Sequence, residues 1–405
     1  THCESSAASD VYKRQVILKP FRCILLSKMD VVVIGAGLYV SGKGTTGYGT
    51  ILPALFEWKR ISENIGKFYF VSTSVESSKE LKEKASHLVL KTGVELEVHS
   101  YPESGNRDYF AYRKVISNLK KPACAIIAVP DHLHHQIAKD CLEAGLHVLL
   151  VKPFTATSEE GLDLVRIAES RSLYGAVEFH KRWDRSNLIL KDKFMSGELG
   201  APLNCWVEYS QRKSIPVSYF KDWASKTSIL QYLGVHYIDL IRFITEASPK
   251  RVMAVGQKLE IIKSGIDTYD SIQCVIEWEM KNGSTFTETI LTSWVDPETS
   301  SAMSDQKIKF IGTEGRYEAD QKERGIRSNT SDQGLQHINP DFCMPYGTEN
   351  GSINWRGYGI ESVKTFLNDV YALEQRQISL SELEKNRPCF KAVSYTHLRA
   401  HETQS

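Results

Sequence analysis

Six glycines within eighteen residues, in the segment VIGAGLYVSGKGTTGYGT (33–50), mark a candidate phosphate-binding loop. Glycine-rich turns that lead into a helix let backbone amides approach an anion closely. The segment fits two such loops. Gly37, Gly42 and Lys43 match most of the sequence motif of the triphosphate loop of nucleotide hydrolases. Gly35 and Gly37, directly after an apolar run, fit instead the loop that holds the pyrophosphate of a dinucleotide.

The residue after Lys43 favours the second loop. A triphosphate loop needs Ser or Thr at that position to hold magnesium, and this chain has Gly44. A dinucleotide loop needs a strand before it, glycines for the tight turn and the close approach to pyrophosphate, and a helix after it. The runs DVVVIGA and TILPALFEW provide the strand and the helix, although Val40 replaces the usual third glycine. We therefore predict a site for NAD or NADP and not for ATP.

The choice between NAD and NADP stays open in the sequence. An NAD site usually has Asp or Glu at the tip of the second strand, where the acid accepts hydrogen bonds from the ribose hydroxyls. Here the tip reads VSTSVES, so Ser72, Thr73 and Ser74 bring hydroxyls without charge, and Glu76 follows further along. Hydroxyls are compatible with a 2'-phosphate, and Lys79 is the nearest cation in the sequence.

Alternating strand and helix patterns surround this loop. The strand patterns DVVVIGA, KFYFVST, LEVHSY, ACAIIAV and HVLLVK are separated by helical patterns, which predicts a parallel, doubly wound sheet. Further along, a helix (158–171), the strand YGAVEFH and a helix (186–195) precede long strands, which are typical of a mostly antiparallel sheet with one open face. We therefore predict an α/β fold: a Rossmann domain over 29–153, and a second α/β domain over 154–392 whose C-terminal helix returns to the first.

Four ordered motifs resemble the Gfo/Idh/MocA oxidoreductases, named for glucose-fructose oxidoreductase and inositol dehydrogenase. The motifs are AVPDHLHHQIAKDCLEAGLHVLLVKP, EFHKRWD, GELGAPL and LGVHYIDLIRF, and the resemblance covers about residues 30–392. It implies hydride transfer between NAD(P) and a secondary alcohol of a sugar, cyclitol or related carbohydrate, in a homo-oligomer. It also places Pro130 and His134 beside the nicotinamide. The residues assigned to the cofactor are Gly35, Gly37, Leu38, Ser72, Thr73, Pro130, His134 and Lys152.

Two positions depart from the family pattern. The Glu-Lys-Pro of the family reads Val151, Lys152, Pro153 here, which keeps the lysine and loses the acid. Many members carry Asp four residues before the motif histidine, where this chain carries Tyr232. The usual proton-transfer residues therefore do not carry over as a complete set.

Lys152 and His236 are the candidates for proton transfer. Oxidation of a secondary alcohol removes a hydride from carbon and a proton from oxygen, so it needs a base beside the hydroxyl. Lys152 follows the fifth parallel strand, at the sheet edge where ligands bind, and burial beside oxidised nicotinamide would lower its pKa. On the helical pattern SILQYLGVHYIDLIRF, one arc can face a cleft. That arc carries Tyr232, His236, Asp239 and Phe243.

We assign Lys152, His236 and Tyr232 to catalysis, with the Tyr232 hydroxyl bonded to the reacting oxygen. The alternative for His236 is a core histidine bonded to Asp239 or to the backbone, and the alternative for Tyr232 is packing at the cleft edge. His180, Arg212 and Asp239 are assigned to the substrate. The cluster DHLHH has no cysteine or carboxylate set with metal-ligand spacing, so we predict no metal site.

Composition argues against several other classes of protein. The 405 residues are 41% hydrophobic, enough for two cores, and a formal net charge of +1 gives no strong field for nucleic acid or an anionic membrane. No apolar run reaches the length of a transmembrane helix. Eight cysteines without CxxC spacing fit a reducing compartment, so we expect a cytoplasmic location.

Both ends of the chain look foreign to the rest. The segments SSAASDVYKRQ (5–15) and VSYTHLRAHET (393–403) resemble translated transposase adapters of sequencing libraries. We therefore expect 1–28 to be a non-native leader and 393–405 a non-native tail, neither with a role in function.

The main alternative function is a regulator of the same fold that senses a dinucleotide or a sugar without catalysis. The altered positions Val151 and Tyr232 keep this alternative open. The retention of both Lys152 and His236 argues against it, because a sensor needs neither. A triphosphate hydrolase is disfavoured by Gly44.

Overall fold

The computed structural model describes residues 28–62 and 65–394, so nearly all of the two predicted foreign ends lies outside the described residues. The described helices are α1 (Leu38–Ser41), α2 (Ile51–Ile61), α3 (Val75–Thr92), α4 (Ala111–Asn118), α5 (His134–Glu143), α6 (Ser158–Ser170), α7 (Arg185–Met195), α8 (Val235–Thr245), α9 (Tyr358–Glu374) and α10 (Leu380–Asn386). No helix in this part of the chain is long and apolar enough to cross a membrane.

Six strands form the first sheet, in the order β3-β2-β1-β4-β5-β6 and all parallel. They are β1 (Met29–Ile34), β2 (Ile65–Val71), β3 (Val98–Tyr101), β4 (Ala123–Ile127), β5 (His147–Val151) and β6 (Gly175–Glu178). Every residue of β1 is buried, as expected for a central parallel strand covered on both faces. Ile34 pairs with both Val71 and Ile127, so β1, β2 and β4 end at one level and their following turns share one edge.

A second six-stranded sheet follows, in the order β12-β11-β7-β10-β9-β8. Its strands are β7 (Pro202–Arg212), β8 (Ser248–Gln257), β9 (Ser271–Glu279), β10 (Thr285–Asp296), β11 (Ser304–Gly312) and β12 (Arg316–Asp320). Only the β7–β10 pair is parallel among these neighbours. Alternate residues of β9 and β10 are buried, and the apolar face shares a core with α7 and α8. The predicted fold class, a Rossmann domain with a mostly antiparallel second sheet, is confirmed.

The helix predicted over 228–243 is not a uniform α-helix. The prediction that Tyr232, His236 and Asp239 lie along one side of it is therefore corrected. Leu230–Gly234 form one π-helical turn, and α8 begins only at Val235. A π turn holds more residues than an α turn, so a constant 100° per residue does not relate Tyr232 to His236. His236 and Asp239 are 1% and 3% exposed, so these two members of the predicted cleft-facing arc are buried.

Two hairpins and a helix connect the second sheet back to the first domain. The hairpins pair β13 (Arg327–Thr330) with β14 (Gly334–His337) and β15 (Met344–Gly347) with β16 (Ile353–Arg356). Helix α9 then packs on α2, where the Trp58 indole donates to the Asn368 side-chain oxygen at 2.9 Å. The apolar face of α9 thus shares the core cluster of β1 and α2.

Candidate active site

The glycine turn after β1 leaves an open backbone surface. Gly35 has φ +119°, and a Cβ there would lie 2.1 Å from the Ala128 carbonyl oxygen, so only glycine fits. Gly37 starts α1, and a Cβ on it would meet nothing within 4 Å. Leu38 is the first residue of α1. The exposed backbone at Gly37 leaves room for the close approach of a dinucleotide pyrophosphate.

A glycine-rich loop, residues 42–49, interrupts the helix that usually follows this turn. Helix α1 has only four residues, and the Thr50 amide donates back to the Tyr39 carbonyl at 2.7 Å before α2 begins. Lys84 on α3 donates to carbonyl oxygens of this loop, including those of Thr45 at 3.0 Å and Gly47 at 2.9 Å. The loop is therefore fixed to α3.

At the tip of β2, the two predicted cofactor residues differ in their surroundings. The Ser72 hydroxyl donates to the Ser74 carbonyl at 2.8 Å and lies 2.9 Å from the Ser78 hydroxyl, so it serves the turn itself. Thr73 is exposed, and its carbonyl accepts from the Asp108 amide at 2.9 Å. Of these two hydroxyls, that of Thr73 is placed to meet a ligand.

Lys152 follows β5 and points toward Tyr232. Its amine donates to the Tyr232 carbonyl at 2.6 Å and lies 3.3 Å from the centre of the Tyr232 ring. Burial lowers the pKa of Lys152 to about 8, although the negative charges of Asp131 and Glu178 oppose that shift. An amine with this pKa is neutral in an appreciable fraction of molecules near neutral pH and can accept a proton.

Tyr232 presents its ring face to this lysine. The ring packs among Phe220, Trp223 and Trp294, at centroid distances of 4.9, 6.1 and 5.8 Å. Burial raises the pKa of Tyr232, so its phenol stays protonated. The contact with Lys152 is thus made by the aromatic face and the backbone carbonyl of Tyr232.

His236 is buried beside a second histidine. Its ring centre lies 4.5 Å from that of His180, and the ring of Phe179 meets it edge-on at 5.8 Å. Among the described residues, nothing hydrogen-bonds to the buried Nδ1 of His236. Burial, followed by the nearby His180 and Lys152, holds the pKa of His236 well below its usual value. His236 is therefore a neutral imidazole, and it does not bond to Asp239.

Glu178 at the end of β6 holds His180, and sequence reasoning missed it. One carboxylate oxygen of Glu178 lies 3.0 Å from Nδ1 of His180, and the other accepts from the Ser362 hydroxyl on α9. Because a carboxylate only accepts, Nδ1 of His180 is the donor in this contact, and Nε2 is the ring nitrogen that remains for another partner. The available signal was the spacing Glu-Phe-His at a strand end, which the motif EFHKRWD contains.

Aromatic rings surround His180. Tyr358 stacks on it at 5.6 Å and Phe342 lies at 5.3 Å, while the Tyr39 hydroxyl is 3.4 Å from its Nδ1. These rings come from α9, the segment before β15, and α1. His180 thus stands where both domains meet.

Other predicted residues have structural partners. Arg182 donates to both carboxylate oxygens of Asp239 at 2.6 and 2.7 Å, so Asp239 has a partner within the protein, and its assignment to the substrate stays a prediction. Arg212 donates to the Ser300 carbonyl of a neighbouring loop. The ring nitrogens of His134 lie 2.8 and 2.9 Å from the carbonyl oxygens of Pro153 and Val129, and its side chain is fully buried, so His134 links the turn after β4 to the turn after β5.

Two further predictions concern Pro130 and metal binding. Pro130 precedes the single turn Asp131–Leu133 at the end of β4, on the same sheet edge as Gly35. Within residues 28–62 and 65–394, no three His, Cys, Asp or Glu side chains converge as metal ligands would.

Comparison with known proteins identifies the family to which the two sheets belong. A sequence model of the oxidoreductase family with an NAD-binding Rossmann fold matches residues 29–179, and a model of the family's C-terminal domain matches residues 188–318. A scyllo-inositol 2-dehydrogenase (NADP(+)) of Bacillus subtilis is 33% identical over 115 residues, which are 28% of this chain and 32% of that protein. A UDP-N-acetylglucosamine 3-dehydrogenase of Acidithiobacillus ferrooxidans is 29% identical over 146 residues, 36% of this chain and 43% of that protein. The match thus spans about a third to under half of these curated relatives.

Solved structures extend the likeness in fold along most of the chain. An inositol dehydrogenase homologue from Azotobacter vinelandii, complexed with NADH and myo-inositol, superposes with a TM-score of 0.65 at 17% identity and covers 93% of this chain and 96% of that one. A scyllo-inositol dehydrogenase from Lactobacillus casei, with bound NAD(H) and scyllo-inositol, superposes with a TM-score of 0.62 at 13% identity. The superposition covers 93% of this chain and 97% of that one. With both family models matched in order, the chain belongs to the Gfo/Idh/MocA family of oxidoreductases.

Proposed function

We propose that the protein is an NAD(P)-dependent dehydrogenase that acts on a secondary alcohol of a cyclitol or sugar. The observation that carries the proposal is the grouping of Lys152, His236 and His180 at the carboxyl edge of the Rossmann sheet, near the open glycine turn. The named relatives that act on inositols and on a nucleotide sugar support this substrate class.

The bound dinucleotide would accept the hydride that leaves the alcohol carbon. The neutral amine of Lys152 takes the hydroxyl proton, because burial has brought its pKa to about 8. His236 stays neutral, so it can bond to the same oxygen or to a neighbouring hydroxyl without adding charge. Glu178 fixes the tautomer of His180, whose free Nε2 can accept from a further hydroxyl.

The rings around His180 suit a polyol ring. Phe342 is partly exposed and offers an apolar surface for the C–H face of a sugar or cyclitol, while the buried Tyr358 packs against both His180 and Phe342. The histidines and Lys152 offer polar atoms for its hydroxyls. Apolar walls with a few convergent polar groups are the usual composition of a small-molecule site.

A substrate panel tests the proposal. Inositols, hexoses and nucleotide sugars are offered with NAD⁺ and with NADP⁺, and formation of reduced nicotinamide is followed by absorbance. We expect turnover of at least one polyol. Binding of a dinucleotide without turnover of any compound would favour the sensing regulator.

Two variants test the proposed base. We expect Lys152→Met and His236→Ala each to lower the chemical rate by about a hundredfold or more, the usual size for general acid-base groups. Dinucleotide affinity should persist in both. Lys82→Met, at an exposed position on α3, serves as the matched control. Rates near the parent value in both site variants would contradict the assignment.

A further inference from the structure

Lys43 lies beside the tip of β2, although it is 29 residues away from Ser72 in the sequence. Its amine donates to the Ser77 hydroxyl at 2.6 Å, and the Ser74 hydroxyl donates to the same oxygen at 3.2 Å. Lys43 is exposed, while Ser74 and Ser77 are each 8% exposed. No carboxylate among the described residues pairs with the Lys43 amine.

The glycine-rich loop holds Lys43 in this position. The Gly44 amide donates to Glu80 on α3 at 3.1 Å, one residue after Lys43. Gly42, one residue before it, has φ +68°, and a Cβ there would lie 2.4 Å from the Gly47 carbonyl oxygen. Together with the Lys84 contacts, these features bind both sides of Lys43 to the start of α3.

The β2 tip lacks the acid that would bond to a free ribose. In dinucleotide folds, that tip faces the adenosine ribose, and an acid there bonds to the 2'-hydroxyl. Glu76 is the nearest acid, but it lies inside the first turn of α3. Its own backbone amide and the Ser74 hydroxyl lower the pKa of Glu76, so it is an ionised side chain next to the N-cap residue Ser74. The positive charges of Lys79 and Arg107 lie near it.

We propose that Lys43, Ser74 and Ser77 bind the 2'-phosphate of NADP, so that the protein selects NADP over NAD. The inference rests on the proposed function, because a dinucleotide must first bind at the glycine turn. A phosphate dianion accepts from the Lys43 amine and from the two hydroxyls, and the N-terminus of the 18-residue helix α3 adds a favourable field. Lys43 and Ser77 then exchange their mutual contact for contacts with the phosphate.

Binding measurements without substrate test this site. The affinities of NADP⁺, NAD⁺, 2',5'-ADP and 5'-AMP are measured by titration calorimetry on the full chain. We expect NADP⁺ to bind at least tenfold more tightly than NAD⁺, and 2',5'-ADP at least tenfold more tightly than 5'-AMP. Lys43→Ala should remove most of both differences and leave NAD⁺ affinity within about twofold, whereas Lys43→Arg should retain them.

Lys82→Ala is the control, because it removes the same charge from an exposed position on α3. Circular dichroism confirms that each variant is folded. Equal affinities for the two dinucleotides in the parent, or an equal loss of both in Lys43→Ala, would overturn the inference and leave the proposed function intact. Failure of the parent to bind either dinucleotide would instead contradict the proposed function and this inference with it.

Discussion

Glu178 explains how this site keeps a negative charge despite its two departures from the family pattern. Val151 and Tyr232 stand where many members carry carboxylates. The buried carboxylate of Glu178 instead contacts His180, whose ring lies 4.5 Å from that of His236. It also opposes the lowering of the pKa of Lys152. The site therefore holds a carboxylate at the end of β6, two residues before His180.

We expect Glu178→Gln to lower the rate of alcohol oxidation by tenfold or more. The amide keeps the shape of the carboxylate but removes its charge. A carboxylate only accepts hydrogen bonds, whereas an amide can also donate, so the variant no longer requires Nδ1 of His180 to be the donor. Steady-state kinetics and the pH–rate profile are measured. Ser362→Ala is the control, because it removes the other contact of Glu178 and keeps its charge. An unchanged profile in Glu178→Gln would show that Glu178 only joins β6 to α9.

The pKa of Lys152 predicts the pH dependence of the reaction. Only the neutral amine accepts a proton, so kcat/KM for oxidation should rise with pH and reach half of its maximum at about 8. The group is a cation whose folded pKa is lowered, so the active form gains population as pH rises. A pH–rate profile on the parent checks this. A profile that stays flat across that pH would exclude Lys152 as the base.

Tyr232→Phe separates the ring of Tyr232 from its hydroxyl. The ring face contacts the Lys152 amine, and phenylalanine keeps that face. We therefore expect a rate within about twofold of the parent for Tyr232→Phe and a clearly larger loss for Tyr232→Leu. A tenfold loss of rate in Tyr232→Phe would support the hypothesis, made from the sequence, that the hydroxyl bonds to the reacting oxygen.

At the scale of elements, the loop 42–49 depends on one lysine of α3. Lys84 occupies several loop carbonyls at once, so its removal leaves those oxygens without a shared donor. We expect Lys84→Met to weaken the binding of NAD⁺ and of NADP⁺ by a similar factor of about tenfold, because the whole loop must then be ordered on binding. Calorimetry with both dinucleotides measures this. A loss of affinity for NADP⁺ alone would mean that Lys84 contacts the phosphate and does not act through the loop.

Element prediction succeeded where periodicity is strong and failed where tertiary contacts decide. The run DVVVIGA is apolar on both faces and ends in a glycine that no other residue can replace, so β1 and its turn are predictable. The π turn at Leu230–Gly234 was not, because a helical pattern in the sequence does not reveal a local change of pitch. Glu178 was missed because its contact with Ser362, 184 residues away in the sequence, forms only in the fold.

At the scale of the whole molecule, an ionisable residue lies in the core of the second domain. Glu288 on β10 is fully buried, and its register partners are Cys205 on β7 and Ile276 on β9. The Trp278 indole donates to one of its oxygens at 2.9 Å, and the other oxygen has no partner within the described residues. Burial raises the pKa of Glu288 to about 8, so the folded protein holds it protonated at neutral pH.

This protonation makes the stability of the second domain depend on pH. In the unfolded chain Glu288 ionises near its ordinary pKa of about 4.3, so between about 4.3 and about 8 the folded state binds one more proton. The free energy of unfolding therefore falls as pH rises through that window, by about 1.4 kcal/mol per pH unit from this residue alone. Glu288→Gln has no proton to lose.

We expect the stability of Glu288→Gln to exceed that of the parent by an amount that grows with pH. The two proteins should be similar near the lower end of the window, and the variant should be a few kcal/mol more stable near its upper end, since other titrating groups cancel in the comparison. Urea unfolding at several pH values, followed by circular dichroism, measures the difference. A difference that does not change with pH would mean that the folded protein does not hold Glu288 protonated, and that the apolar strands around it accommodate a charge.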